Sequence, residues 1–510
     1  MKSRFLNPPS IVGRKYFFPV LLLISGVFLI VVQIIQHSEP NQHYFETPDV
    51  STKSAEDNAG RPNVLLIIID TMRWDVVGYN NGGQYGVTPN IDRIAAESSV
   101  FANHYSHCPW TTPSFASIYT SKSPYRTLYR KQKVLTYKHR NRYNSWVVNG
   151  LNEKEITLPL VFTDAGYNVS TFQPNYAADK RYNFQLHNDF YLSCYNDFRF
   201  SNIVLAMHRG ATKLCNKITG IDASNILNIS TANDYHFCAD GEDLIKYPAG
   251  YLGSSDSGPS LTIMNFMDVH QYFLEKADKK SIGRYFADAH EIDSRYLASA
   301  AYVDTQIGKL YDFLKQAGKL DDTVLIITSD HGEAFDEHGF TGHGYSVYNE
   351  EIKVPLIIRY PEKVPAGAKY DFTSGHTDIL PTVLGLCEID YSMHDFEGID
   401  LFAGDPGDRF IYSGFTAHTS DKNAVIHGGF KLIYDFELDE YQLFNIQADP
   451  GERRQLNHDD YDVFPVMADS LKDWMNSMEI SQEKISMIHQ IEDVKIEIDL
   501  QHLRSLGYVQ

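Results

Sequence analysis

The sequence predicts an α/β fold in which buried strands end at a ligand-binding site. Two short runs of branched apolar residues, NVLLIIID (63–70) and TVLIITSD (323–330), are typical of strands buried on both faces of a sheet. A third segment, PWTTPSFASIYTS (109–121), is typical of a turn that leads into a helix. Because ligands of open α/β sheets gather at the carboxyl ends of strands, the side chains that follow these runs are candidate functional residues.

Each predicted strand stops at a carboxylate, Asp70 in the first and Asp330 in the second, and His331 follows directly. Carboxylates at strand ends can simply cap the next turn. Two of them, with an adjacent histidine and a threonine at a helix start, favour a metal site instead. The predicted ligands Asp70, Thr111, Asp330 and His331 would supply three oxygens and one nitrogen, which suits Zn²⁺ or Mn²⁺ better than Ca²⁺.

The two adjacent threonines precede a proline that suits the first position of a helix. Pro113 in that position makes Thr112 the predicted N-cap and leaves Thr111 just outside the helix, facing its positive end. A hydroxyl there could assist capping, or it could be a nucleophile at a place where developing negative charge is stabilised. The segment alone leaves both interpretations open.

Composition and the first residues restrict the partners and the location. A net charge of −20 over 510 residues argues against nucleic acid as a partner. Residues 17–36 form an uncharged apolar segment of bilayer length, with basic residues before it and acidic residues after it. This pattern predicts a single-pass membrane anchor with a cytoplasmic N-terminus and an extracytoplasmic catalytic domain. A cleaved signal peptide is the alternative.

Several motifs, in order and spacing, resemble those of the sulfatase family of the alkaline phosphatase superfamily. They are RPNVLLIIIDTMRWDVVGY, TPNIDRIAAESSVFANHYS, SDHGEAFDEHGFTGHG, EEIKVPLIIRYP, HTDILPTVLGL and LFNIQADPGERRQL. The resemblance implies a large mixed β-sheet sandwiched by helices, followed by a smaller C-terminal α/β subdomain. The predicted organisation is a cytoplasmic segment (1–16), the anchor (17–36), a polar tether (37–61), the catalytic domain (62–390) and the C-terminal subdomain (391–510).

The sequence departs from that family at the positions that carry its chemistry. Sulfatases have a Cys or Ser that is oxidised to formylglycine; Thr111 matches it and cannot form that aldehyde, and Phe115 matches the arginine that accompanies it. Thr71 stands where a second acidic ligand is usual, and His331 where calcium-type members tend to have Asn. These differences resemble the branch that attacks with a threonine alkoxide, as phosphodiesterases and phosphoglycerol or phosphoethanolamine transferases do. The resemblance therefore favours Thr111 as nucleophile.

The resemblance also implies roles for three histidines and for the metal. His343 and His270 match positions that contact the substrate or protonate the leaving oxygen, so they are the predicted catalytic partners of Thr111. His376 is a weaker candidate, because a histidine satisfied by the backbone is an equal interpretation. Asp268, His270 and His376 could form a second metal site. Calcium is the metal that resemblance alone would suggest.

Three functions follow from these observations. The first is hydrolysis of sulfate esters, such as those of sulfated glycans. The second is a phosphodiesterase or phosphotransferase activity on lipid- or glycan-linked phosphates, and the third is a catalytically inactive binding protein. A basic, tyrosine-rich segment (125–143) follows the predicted nucleophile helix. It is either a solvated loop or a surface for an anionic polymer or lipid headgroup.

Overall fold

The fold is described from a computed structural model. The structure describes residues 60–128, 130–138, 141–148, 150–178, 182–193, 241–242, 244–246, 258–272, 292–419 and 421–478. All of these lie in one compact unit formed by residues 50–193 and 238–510. None of the helices in these ranges combines the length and the apolar character that a bilayer span requires. The predicted anchor (17–36) lies outside those ranges and stays a prediction.

The described strands build one large sheet and three smaller ones. In chain order they are β1 (Asn63–Ile69), β2 (Ser99–Tyr105), β3 (Arg130–Lys138), β4 (Asn141–Val148), β5 (Asn168–Gln173), β6 (Phe190–Ser193), β7 (Ser260–Phe266), β8 (Thr323–Thr328), β9 (Ala334–Phe335), β10 (Thr341–Gly342), β11 (Leu356–Arg359), β12 (Lys369–Gly375), β13 (Ile411–Ser413), β14 (Lys422–His427), β15 (Phe430–Asp435) and β16 (Glu440–Asn445). The large sheet has eight strands in the order β12-β2-β11-β8-β1-β7-β5-β6. β11 is antiparallel to both neighbours, and the other pairings are parallel.

The described α-helices are mostly short. They are α1 (Gly78–Asn81), α2 (Pro89–Ala96), α3 (Thr111–Thr120), α4 (Pro124–Thr127), α5 (Leu158–Asp164), α6 (Ser294–Gln316), α7 (Asn349–Ile352), α8 (Ile379–Leu386) and α9 (Val463–Ser477). Single 3₁₀ turns lie at Trp74–Val76, Tyr176–Ala178, His376–Asp378 and His458–Asp460.

The two strands predicted from their apolar runs are neighbours at the centre of the sheet. β1 and β8 are parallel, with Asn63 opposite Thr323 and Ile68 opposite Thr328. Except for Asn63, every residue of the two strands is buried. This register ends both strands at the same level, so the residues that follow them meet at one edge of the sheet.

Alternate side chains of β1 belong to two separate cores, one on each face of the sheet. Leu66 and Ile68 pack with α3 residues in one core, while Leu65 and Ile67 pack with α6 residues in the other. This alternation follows from the period of two along a strand. Helices therefore cover both faces, and the predicted α/β fold with a large mixed sheet is confirmed.

A second, antiparallel sheet of strands β13 to β16 follows in the chain. The apolar side of α9 packs on it through Met467, Leu471 and Met475. The predicted boundary between residues 390 and 391 is not tested by this arrangement. The basic segment 125–143 contributes to α4 and to a two-stranded hairpin of β3 and β4.

Candidate active site

Three elements converge at the carboxyl edge of the central strands. Asp70 directly follows β1, Asp330 and His331 follow β8, and Thr111 is the first residue of α3. All four side chains are fully buried. The prediction that Thr112 caps this helix is wrong: the N-cap is Trp110, and the Thr112 hydroxyl donates to the carbonyl of Ala177 at 2.5 Å. Thr111 therefore begins the helix rather than lying outside it.

The predicted metal ligands lie within reach of a single ion. One ligand atom each from Asp70, Asp330 and His331 falls within 4.8 Å of the other two. His331 Nε2 lies 3.4 Å from Asp330 Oδ2 and 4.0 Å from Asp70 Oδ1. Thr111 Oγ1 lies 3.2 Å from the same His331 nitrogen. The structure brings all four predicted residues together.

The remaining atoms of these ligands are already engaged in hydrogen bonds, which fixes their orientation. Asp330 Oδ1 accepts from the backbone N–H groups of Thr71 at 3.2 Å and His331 at 2.9 Å. His331 Nδ1 donates to the carbonyl of Gly332 at 2.9 Å, which leaves Nε2 with its lone pair. Among the described residues, Asp70 Oδ1 and Asp330 Oδ2 have no hydrogen-bond partner.

Burial and mutual repulsion make this group unfavourable without a cation. Burial, and then the charge of Asp330, raise the pKa of Asp70 well above its usual range. Burial raises the pKa of Asp330 to about 7. Burial also lowers the pKa of His331, so its imidazole is neutral at pH 7. Two unpartnered carboxylate oxygens and a neutral imidazole nitrogen fit a divalent cation.

Thr71 holds a strained backbone beside this group. Its φ is 61°, a left-handed conformation that β-branched residues rarely adopt and that costs about 1–3 kcal/mol. The hydroxyl of Tyr296 donates to the Thr71 carbonyl at 2.6 Å. The strained conformation directs the Thr71 N–H toward Asp330, so it helps to orient that carboxylate.

The two predicted catalytic histidines lie beside the ligand group. The ring of His343 lies 4.5 Å from that of His331 and 5.1 Å from that of His270, measured between centroids. Burial, and then the charge of His343, lower the pKa of His270 to about 3, so His270 is neutral. Glu333 accepts a hydrogen bond from His343 Nδ1 at 2.9 Å, which places a carboxylate beside this imidazole and orients its ring. His343 is thus better placed than His270 to donate a proton.

His376, in contrast, is buried in the core, and both of its ring nitrogens have hydrogen-bond partners there. Its Nδ1 lies 3.1 Å from the Ser114 hydroxyl, and its Nε2 lies 2.9 Å from the carbonyl oxygen of Ser329. Asp268 accepts a hydrogen bond from the backbone N–H of Gly241 at 2.9 Å. Within the described residues, Asp268, His270 and His376 do not form a group that could hold an ion. Those residues therefore give no support to the suggested second metal site.

Asn175 was not identified from the sequence. It lies two residues beyond β5 and is 1% exposed, and its side-chain amide donates to Asp70 Oδ2 and, at 3.4 Å, to Thr111 Oγ1. Glu333 was also missed, although it stands only two residues after His331. An asparagine just after a buried strand is a weak signal, and only the folded arrangement distinguishes it from a turn residue.

Two protein families match this chain. The sulfatase family matches residues 62–389, which is more than half of the chain. A second family, described as N-sulphoglucosamine sulphohydrolase, C-terminal, matches residues 336–480.

Individual relatives are distant. An N-acetylglucosamine-6-O-sulfatase of Bacteroides thetaiotaomicron is 31% identical over 175 residues, which cover 32% of this chain and 31% of that enzyme. An arylsulfatase of Clostridium perfringens is 23% identical over 79% of this chain and 91% of the relative. The crystal structure of a phosphonate monoester hydrolase of Agrobacterium radiobacter has a TM-score of 0.54 at 18% identity, covering 83% of this chain and 96% of that one. That last likeness shows the fold alone.

Proposed function

The chain belongs to the sulfatase family, a family of ester hydrolases, and from this premise we propose that it is a metal-dependent hydrolase of sulfate or phosphate esters that uses Thr111 as its nucleophile. The observation that carries the proposal is the position of the Thr111 hydroxyl. It begins a helix and lies 3.2 Å from His331 Nε2. That nitrogen is itself within 4.0 Å of two carboxylate oxygens that lack hydrogen-bond partners among the described residues.

Asp70, Asp330 and His331, with Thr111, would hold the divalent cation. When bound, the cation supplies charge that lowers the pKa of the threonine hydroxyl and neutralises the non-bridging oxygens of the ester. Zn²⁺ and Mn²⁺ suit the mixed donor set better than Ca²⁺.

The protein residues divide the reaction into two steps. Thr111, having lost its proton to solvent, attacks sulfur or phosphorus; the new ester bond forms, the bond to the leaving alcohol breaks, and the alcohol oxygen takes a proton from His343. His343 then removes a proton from water, which attacks the same sulfur or phosphorus atom. The bond to Thr111 breaks, sulfate or phosphate leaves, and Thr111 regains a proton from solvent. His270, which is neutral, would bind ester oxygens.

The local charge favours a second candidate activity on phosphate esters or diesters. The ligand group carries two carboxylates, because Thr71 is uncharged where a second acidic ligand is usual in the family. A less negative site tolerates a transition state with more negative charge, as phosphoryl transfer has. A transferase that passes the group to an acceptor alcohol uses the same first step.

The natural substrate is proposed to be an anionic ester on a sugar or a lipid. Names of several relatives refer to sulfated sugars, including N-acetylglucosamine-6-O-sulfatase. We further propose that residues 17–36 anchor the enzyme in a membrane and place residues 62–510 outside the cytoplasm.

Matched aryl sulfate, aryl phosphate and aryl phosphodiester substrates test the activity. We expect Thr111→Ala to abolish turnover and Thr111→Ser to retain part of it, since serine keeps the hydroxyl. The intact mass should show no formylglycine at Thr111. Turnover of sulfate with none of either phosphate would reject the phosphate activity, and full turnover by Thr111→Ala would reject the nucleophile.

The metal requirement has its own test. Asp330→Asn should lose most of the bound divalent metal while the circular dichroism spectrum stays native, because one ligand loses its charge. Elemental analysis of purified protein measures the loss, and Asp312→Asn, an exposed aspartate of α6, is the control. Unchanged metal content in Asp330→Asn would remove this residue from the site.

A further inference from the structure

A cleft of about 810 Å³ lies between the edge of the central sheet and the antiparallel sheet. One wall comes from β2 and β12 and the other from the turn between β14 and β15 and from the segment after β16. The side chains on which the argument rests are Trp74, Asn103, Tyr105, Lys353 and Lys369. The lining includes none of the proposed metal ligands, catalytic histidines or Thr111, so this is a separate cavity.

Lys353 is a buried cation in the wall of this cleft. The residue is 5% exposed, and its ammonium lies 4.3 Å from the centroid of the Trp74 ring and 5.8 Å from that of Tyr105. It donates one hydrogen bond, to Asn103 Oδ1 at 3.0 Å. All three of these neighbours also line the cleft, which places the ammonium at the cavity surface.

In the described part of the chain no carboxylate forms an ion pair with Lys353, although the more distant charges of Glu452 and Asp75 act to raise its pKa. The neighbouring buried lysine, Lys431, does form an ion pair, because its ammonium lies 2.8 Å from Glu452 Oε1. Burial, and then the charge of Lys431, lower the pKa of Lys353 to about 8, so it is still mostly protonated at pH 7. Buried cations are normally paired, and an unpaired one favours binding of an anion.

Tyr105 supplies a second donor in the same wall. Its side chain is fully buried, and among the described residues its hydroxyl has no hydrogen-bond partner. A buried hydroxyl that lacks a partner loses the hydrogen bonds it would make in water. One oxyanion with several oxygens could accept from both the phenol and the ammonium.

We propose that Lys353 and Tyr105 bind a sulfate or phosphate group in this cleft, at a second anion site apart from the metal ligands. The carboxylates in the lining, Asp371, Asp405 and Asp408, are exposed and therefore screened by solvent, whereas Lys353 is not. The group can come from a free inorganic ion or from another ester on a multiply charged substrate. Only the second source rests on the proposed function.

The test is thermal unfolding of the metal-loaded full chain with inorganic sulfate or inorganic phosphate, against sodium chloride at equal ionic strength. A ligand that binds only the folded state raises the Tm, and the rise increases with the ligand concentration. We expect a saturable rise for the wild type that persists in Asp330→Asn, where the proposed metal site no longer contributes anion binding. Adding Lys353→Met to Asp330→Asn, which keeps the length of the stem and removes the charge, should abolish that rise. Tyr105→Phe should weaken the apparent affinity about tenfold. The exposed Lys369→Met is the matched control and should keep the rise.

Two further measurements distinguish a free inorganic ion from a substrate ester as the ligand, and the anion site from the proposed function. One probe is a sulfated carrageenan hexasaccharide. If it raises the Tm of Asp330→Asn but not of Asp330→Asn with Lys353→Met, and inorganic ions raise neither, the ligand is an ester group of a substrate. A rise with inorganic ions identifies the free ion. Thr111→Ala should keep the rise in Tm. Binding at the anion site can therefore be shown even if Thr111 is found not to be the nucleophile. An equal rise in Asp330→Asn with and without Lys353→Met, or no rise beyond sodium chloride with any of these anions, would overturn the proposal.

Discussion

The side-chain amide of Asn175 donates to two functional residues, Asp70 and Thr111. Its Oδ1 accepts from the Ala177 N–H at 2.7 Å, so the amide nitrogen faces Asp70 and Thr111. Hydrogen bonds to metal ligands and nucleophiles orient them for the reaction. Asn175 is thus a positioning residue for the nucleophile and for one ligand at once.

We predict that Asn175→Ala lowers turnover about 10- to 100-fold, because Asp70 and Thr111 both lose an orienting donor. Steady-state kinetics with the preferred aryl ester, together with metal analysis, measures the effect. Asn188→Ala is the control, since Asn188 lies farther along the same loop and donates to the carbonyls of Phe184 and Leu186. Equal turnover by Asn175→Ala and wild type would show that the amide has no part in positioning.

At the scale of elements, the first turn of α3 is held by the antiparallel sheet. The indole of Trp110, the residue before Thr111, donates to the carbonyl of Phe415 at 2.6 Å. Phe415 lies just past β13 with a φ of 63°, and its N–H donates to the hydroxyl of Tyr125 at 2.7 Å. The neighbouring Gly414 donates its N–H to the carbonyl of His107 at 2.9 Å. The corner after β13 therefore sets the position of the nucleophile helix.

We predict that Trp110→Phe lowers kcat about 10-fold and leaves KM and metal content nearly unchanged. The ring remains, but the hydrogen bond to Phe415 is lost, and small displacements of a nucleophile reduce the rate strongly. Kinetics and elemental analysis of the same preparation provide the measurement.

The matched control for that substitution is Trp474→Phe. This indole belongs to α9 and stacks on Tyr412 of the same antiparallel sheet, at 4.9 Å between centroids. It also contacts the ring of Tyr125 at 5.6 Å, so it tests ring packing beside the corner without removing the hydrogen bond from Trp110 to Phe415. It should leave kcat within about twofold of the wild type, because surface and satellite contacts have small effects. If both variants lose activity equally, the corner after β13 has no specific role.

The elements that could be predicted from sequence are those with a local signal. Unbroken apolar runs identified β1 and β8, and the carboxylates at their ends identified the ligand site. Asn175, Glu333 and Trp110 could not be assigned, because their roles depend on partners more than 60 residues away or on side-chain orientation. Thr112 was misassigned, because Pro113 was placed at the first helical position and in the structure occupies the third.

At the scale of the whole molecule, the proposed anchor makes a topological prediction. If residues 17–36 span the membrane with the positive flank inside, protease added outside intact cells should release an active fragment that begins after residue 36. Activity in the supernatant and the N-terminal sequence of the fragment measure this. Protection of residues 62–510 in intact cells would show that the orientation is wrong.

Buried histidines give the folded state a characteristic dependence on pH. Burial, and then the charges of His107 and Arg409, lower the pKa of His104 to about 3, and burial lowers that of His376 well below its usual value. Such a histidine binds a proton in the unfolded state but not in the folded state below about pH 6.5. Its contribution to stability is therefore present at neutral pH and is lost as the pH falls. Asp330, with its raised pKa of about 7, acts in the opposite direction.

Replacing His104 separates the pH dependence of stability that comes from this buried histidine from the opposite dependence that comes from Asp330. We predict that between pH 6 and pH 4 the free energy of unfolding of the wild type falls about 1.4 kcal/mol per pH unit more steeply than that of His104→Asn. Asparagine can keep the hydrogen bond to Ser374, which lies 2.9 Å from His104 Nδ1. Urea unfolding at several pH values gives the slopes, and His458→Asn, an exposed position, should follow the wild type. Parallel slopes for His104→Asn and wild type would mean that His104 takes up a proton in the folded protein, so that its burial does not govern acid stability.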